Sequence, residues 1–160
     1  MAESSNPRFS YLKEWLVPYL KSRDAMQKQI SEISEADYGL LVRYVSKQGF
    51  FLIEPKPDEI SDAVSRLPVS DKTEITAVFF NTKENFKAVV DSWKSLAVIK
   101  NLKLLFVNPE SEEETKWVVA PYVHNLICDE HSVARGLKSM FSMVEPLTGP
   151  KIEKMIQKRR

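Results

Sequence analysis

Lys100–Val144 reads KNLKLLFVNPESEEETKWVVAPYVHNLICDEHSVARGLKSMFSMV, and its spacing decides the architecture. Leu102–Val107 (LKLLFV) is a short run of apolar residues, the pattern of a buried strand. Trp117–Val123 (WVVAPYV) is a second one. Only nine residues separate Val107 from Trp117, and a parallel crossover needs about a dozen or more. The two strands are therefore expected to pair antiparallel, as a hairpin with a charged tip. From about Ser132 to Val144 the residues Val133, Leu137, Met140, Phe141 and Val144 recur at helical spacing.

Upstream, Ile75–Phe80 (ITAVFF) is another buried strand. Thr82 can cap a helix whose apolar face is Phe86, Val89, Val90, Trp93 and Leu96. Strand, helix and strand over about thirty residues predict a parallel pair with a right-handed crossover. The C-terminal core is thus β-α-β-β-α over residues 74–145. Pro146, Gly149 and Pro150 break the chain, and residues 150–160 are expected to form a short basic helix or tail.

The N-terminal part, 9–67, reads as mainly helical. Leu12, Trp15, Leu16, Tyr19, Leu20, Met26, Ile30 and Ile33 follow a helical repeat, which Pro18 kinks or divides. Ser34–Asp37 resembles a capping box ahead of a stripe of Tyr38, Leu41, Val42 and Val45, and Gly49 stands where a helix would stop. Phe50–Ile53 is a short strand, and Glu54-Pro55-Lys56-Pro57 is a stop signal. A short helix with Ile60, Ala63, Val64 and Leu67 ends at Pro68. The polar connection 68–73 divides the two halves of one 160-residue domain. The expected class is α/β (or α+β): a helical N-terminal region packed on a small mixed sheet.

Composition narrows the function classes. Lys and Arg (23) nearly balance Asp and Glu (22), so no whole-molecule field draws this chain to nucleic acid or a membrane. The single cysteine, Cys128, excludes an internal disulfide and predicts a reducing, cytoplasmic setting. No signal peptide is visible at MAESSNPRF, and no apolar run reaches a spanning length.

Candidate sites fall at two rims of the expected sheet. After the parallel strands lie Asn81, Thr82, Asn108 and Lys116, at the rim where ligands of α/β folds usually bind. Capping and strand termination explain the same residue types. The opposite rim receives Tyr122, His124, Asn125, Cys128 and His131. His124, Cys128 and His131 could hold a metal with Asp129 or Glu130, or Cys128 could be a nucleophile with a histidine as its base. The plain alternative is a small buried cysteine beside two unconnected histidines.

Between the hairpin strands, Glu114-Thr115-Lys116 resembles the Glu-x-Lys of metal-dependent nucleases whose signature is Pro-Asp…(Asp/Glu)-x-Lys. The resemblance implies carboxylates holding Mg²⁺ and a lysine placing the attacking water. It covers this tripeptide alone. The upstream Pro-Asp, Pro57-Asp58, falls at a helix start, and LKLLFV carries no carboxylate. The solvated-turn reading of the acidic loop stands beside it.

The leading functional expectation is an intracellular, non-catalytic α/β module acting through protein contacts or self-association, with no cofactor named. The alternative is a small hydrolase or metal-assisted enzyme using Tyr122, His124, Cys128 and His131. The weaker one is nucleic-acid association through the basic residues Lys151, Lys154, Lys158, Arg159 and Arg160.

Overall fold

A six-stranded mixed sheet, in the sequential order β1 to β6, organises the molecule. The computed structural model describes residues 6–68, 70 and 72–159. The N-terminal helix α1 (Pro7–Asp24) leads into β1 (Ile30–Ala36), β2 (Gly39–Tyr44) and β3 (Gln48–Ile53). A 3-10 turn (Pro57–Glu59) and α2 (Ile60–Ser65) cross to β4 (Thr73–Phe80). Helices α3 (Lys83–Asp91) and α4 (Trp93–Leu96) cross to β5 (Leu102–Val107). Then come β6 (Lys116–Val119), α5 (Pro121–Ile127), α6 (Glu130–Met143) and α7 (Gly149–Lys158).

The geometry expected of the C-terminal core is present. β4 and β5 are parallel, with Phe80 opposite Val107. β5 and β6 are antiparallel, with Phe106 opposite Trp117. Side chains alternate across the sheet as the two-residue repeat requires. On one face Ile75, Ala77, Phe79, Leu104, Phe106 and Trp117 pack with Ile60, Val89, Leu96, Leu137 and Phe141 from the crossover helices and α6. On the other, Val78, Phe80, Leu105 and Val107 pack under Leu12, Leu16 and Leu20 of α1 and Ile152 and Met155 of α7. The result is three layers, helix on sheet on helix. Among the described residues no helix is long and apolar enough to cross a membrane.

Three expectations are corrected. Residues 30–45 are not helical but form the β1–β2 hairpin, with Ala36 opposite Gly39. Leu40 and Val42 satisfy a two-residue repeat as well as a helical one, and β2 lies between β1 and β3, where both backbone edges find partners. Gly49 is inside β3 against the Tyr44 ring, not at a helix end. Finally, the segment after Trp117 stays extended only to Val119. Pro121 has no N–H for the ladder and a φ suited to a first helical turn, so α5 begins there. Pro18 does not divide α1, which continues through it to Asp24. Strands from both sides of the 68–73 connection share one sheet, because β3 pairs parallel with β4.

Candidate functional site

The residues from Tyr122 to His131 reach the rim at the amino ends of the parallel strands, but they spread apart there. His124, on α5, sets its ring edge-on to Trp93 of α4 at 6.0 Å. Its Nε2 is buried without a partner among the described residues. The ring faces Gly136 of α6, where an added Cβ would lie 3.4 Å from Nε2. Asn125 Oδ1 accepts from Trp93 Nε1 at 3.1 Å. Tyr122 carries Lys100 Nζ 5.9 Å from its ring centre. Cys128 is half-buried against the first core, while His131 is exposed on α6. Asp129 Oδ1 accepts from Ser132 N at 2.8 Å and caps α6. Those Ser132 hydrogen bonds hold its carboxyl below the usual carboxylate range. Among the described residues no three His, Cys, Asp or Glu gather as metal ligands would, and the side chain of Glu130 lies outside that description.

At the opposite rim, Asn81 and Asn108 are fastened into the fold. Asn81 Nδ2 donates to the Val144 carbonyl at 3.0 Å, and its Oδ1 accepts from Trp117 Nε1 at 2.8 Å. Asn108 Nδ2 donates to the Glu145 carbonyl at 2.7 Å, and its Oδ1 accepts from Glu110 N at 3.1 Å. Thr82 Oγ1 accepts from Asn85 N and caps α3. Lys116 stands 3.9 Å from Glu114 on the hairpin. The two amides thus tie the segment after α6 across the ends of β4 and β5.

The basic tail is an amphipathic helix with a seated face. Ile152 and Met155 of α7 are buried, Arg159 pairs with Glu14 at 3.3 Å, and Lys151 approaches Glu145 at 3.8 Å. Arg160 lies outside the described residues.

Two features went unread in the sequence. The first is a cavity of about 630 Å³ at the carboxyl end of β3, lined by Phe9, Asp37, Tyr38, Glu54, Lys56 and Arg66 among others. Glu54 holds a left-handed φ of 47°, uncommon outside glycine. Burial raises its carboxyl pKa, opposed by Arg8 and by hydrogen bonds from Asn85 and the Phe80 backbone. Glu54-Pro55-Lys56 repeats the Glu-x-Lys spacing of the hairpin, at a strand end whose prolines give a stop signal.

The second feature is the groove at the amino-end rim. A hollow of about 560 Å³ is lined by Lys72, Glu74, Lys100, Lys103 and Val123 among others. A smaller one of about 250 Å³ shares Lys47, Glu74 and Lys103 with it and runs to Tyr19, Arg23 and Tyr44. Arg23, Lys47, Lys72, Lys100 and Lys103 thus face two carboxylates among the described residues, Asp24 and Glu74. Both are engaged. Asp24 accepts from Gln29 N and Ile30 N, and Glu74 meets Lys47 at 3.0 Å. Asp71, adjacent to Lys72 in sequence, lies outside the described residues.

From Val123 the rim continues onto α5. Val123, Leu126 and Ile127 are 50%, 68% and 76% exposed, and their i, i+3, i+4 spacing puts them on one side of the helix. Residues 120–128 contain no Asp, Glu, Lys or Arg. The sequence signal was present, since Val-x-x-Leu-Ile repeats at helical spacing. The strand assignment concealed it.

Compared with known proteins, the chain matches no protein-family model, no curated protein and no solved structure.

Proposed function

We propose that the protein is a non-catalytic binding module of a reducing compartment, and that it acts through protein contacts made by the α5 rim. The supporting observation is the exposed stripe of Val123, Leu126 and Ile127 on an uncharged helix. Apolar side chains exposed singly are ordinary, but a contiguous group on one helix side is a feature of contact surfaces. A photo-crosslinking residue at Leu126 tests the reading in cells, with the same residue at exposed Lys87 of α3 as control. A discrete protein adduct from Leu126 alone is expected, and its mass separates a second copy from another partner. Equal adducts from both positions, or none from Leu126, would reject the reading.

An enzyme reading gains support at Glu54 rather than at the histidines. A strained residue, a carboxyl with a raised pKa and the cavity of about 630 Å³ coincide there. A small-molecule thermal-shift screen tests it. Binders whose shift disappears in Glu54→Gln support a ligand site there, and binders indifferent to that change count against it.

A further inference from the structure

We infer that the segment received at the α5 rim is acidic and amphipathic: apolar side chains seated on Val123, Leu126 and Ile127, with carboxylates reaching Lys72, Lys100 and Lys103. This rests on the reading of α5 as the contact face and names the chemistry of its partner. The argument is continuity. Val123 belongs both to the exposed stripe and to the lining of the lysine groove, so one ligand crossing the rim meets both surfaces. A purely apolar ligand would leave the lysines unpaired. A purely acidic one would leave the stripe in water. Charge complementarity of this kind sets specificity and the association rate, while the apolar anchors supply affinity.

Two other occupants fit less well. A nucleic acid matches the lysines, but the rings that could stack on bases are engaged. Tyr19 stacks on Trp15 at 4.7 Å and lies within 6 Å of both Arg23 and Lys116. Tyr44 lies under Lys47 at 5.2 Å. A phosphate backbone also has no use for the uncharged α5 stripe. A second copy meeting this one through α5 about a two-fold axis would set two lysine grooves side by side. The chain's own acidic run, Glu110–Glu114, sits at the other rim.

Fluorescence anisotropy on the full chain tests the inference with four labelled probes. The first is a peptide of about 14 residues with leucines at i, i+3, i+4 and i+7 among Asp and Glu. Its twins replace the leucines by serine, or the acids by lysine. The fourth probe is a single-stranded oligonucleotide of about 15 nucleotides. The first peptide is expected to bind most tightly, with each of the other three weaker by about ten-fold or more. Lys100→Glu with Lys103→Glu, and separately Leu126→Ser with Ile127→Ser, should each weaken it by about ten-fold or more. Thermal melting verifies that both double variants stay folded. Tighter binding of the oligonucleotide or the lysine twin, or indifference to either double variant, overturns the inference. If crosslinks from Leu126 persist while the peptides are not discriminated, only the partner chemistry is wrong. Loss of both removes the contact face as well.

Discussion

Replacing Asn81 by alanine should be among the most damaging single changes in this protein. Asn81 is completely buried, and three parts of the chain meet at its amide. The donor side holds the Val144 carbonyl at 3.0 Å and, more weakly, the Phe141 carbonyl at 3.4 Å. The acceptor side holds the indole N–H of Trp117, itself buried, at 2.8 Å. Alanine strands two of these groups away from water. Each orphaned group costs about 1–3 kcal/mol, so the total is about 4 kcal/mol. For a chain of this length that corresponds to a fall in Tm of about 8–16 °C. Urea unfolding followed by far-ultraviolet circular dichroism measures the loss without relying on tryptophan emission. Trp117→Phe completes a cycle, because it removes the stranded N–H. The double variant should therefore be less damaged than the sum of the singles, by about 1–2 kcal/mol. A loss below about 0.5 kcal/mol for Asn81→Ala, or additive singles, would refute the clamp. It would also return Asn81 to the roster of ligand-binding candidates.

Four further outcomes follow from particular residues. Burial raises the Glu54 pKa, and a carboxyl raised in the fold contributes stability below its ordinary value near 4.5 and loses it as pH rises through the raised one. Glu54→Gln should therefore raise Tm at pH 7, with the gain shrinking toward pH 4; a constant gain would count against burial as the cause. Lys28 has a left-handed φ of 50° in the turn after α1, so Lys28→Gly should stabilise by about 1 kcal/mol in urea titrations. Gly39 has a φ of 149°, and a Cβ there would collide with the Phe51 carbonyl oxygen, so Gly39→Ala should cost about 3 kcal/mol or more by calorimetry. Deleting residues 149–160 removes Ile152 and Met155 from the second core and should cost about 3–6 kcal/mol in urea, whereas the α5 stripe substitutions should stay within about 0.5 kcal/mol.

The C-terminal core was legible because a length constraint acted on it. Nine residues cannot carry a backbone over a sheet, so β6 had to return beside β5. The helical reading of residues 30–45 failed where no such constraint applied. Leu40, Leu41 and Val42 fit either repeat, and the deciding fact, that β3 offers β2 an edge, lies outside any local window. The histidine cluster was left open for a related reason. Proximity along the chain does not decide proximity in space, and Pro121 turns the segment helical and sends successive side chains in different directions. Glu54 was hidden differently, since a dihedral and a cavity are properties of packing, and the prolines around it gave its segment an ordinary loop signature.

The exposure of the amino-end rim follows from the same topology. β3, β4 and β5 run in sequential order, and their crossovers both land on one face, which the connections cover together with α6. The second face has no crossover among the described residues and is covered by α1 and α7. Six strands span about 24 Å, and two helices side by side cover about 20 Å. α1 reaches about 27 Å along its axis but α7 only about 15 Å, so the shorter helix cannot cover the full length of the strands beneath it. β5 and β6 keep an open corner, and alternation places Lys103 and Val118 there. Lysines suit that position because their stems cover apolar surface while their ammonium groups stay in water, and a lysine-bearing edge discourages uncontrolled strand pairing. The same explanation does not extend to Leu126 and Ile127. Neither belongs to a core cluster, and both are largely exposed. The open corner is a consequence of the architecture, while the apolar stripe beside it is additional to the architecture, and the proposal of a contact surface on α5 rests on that difference.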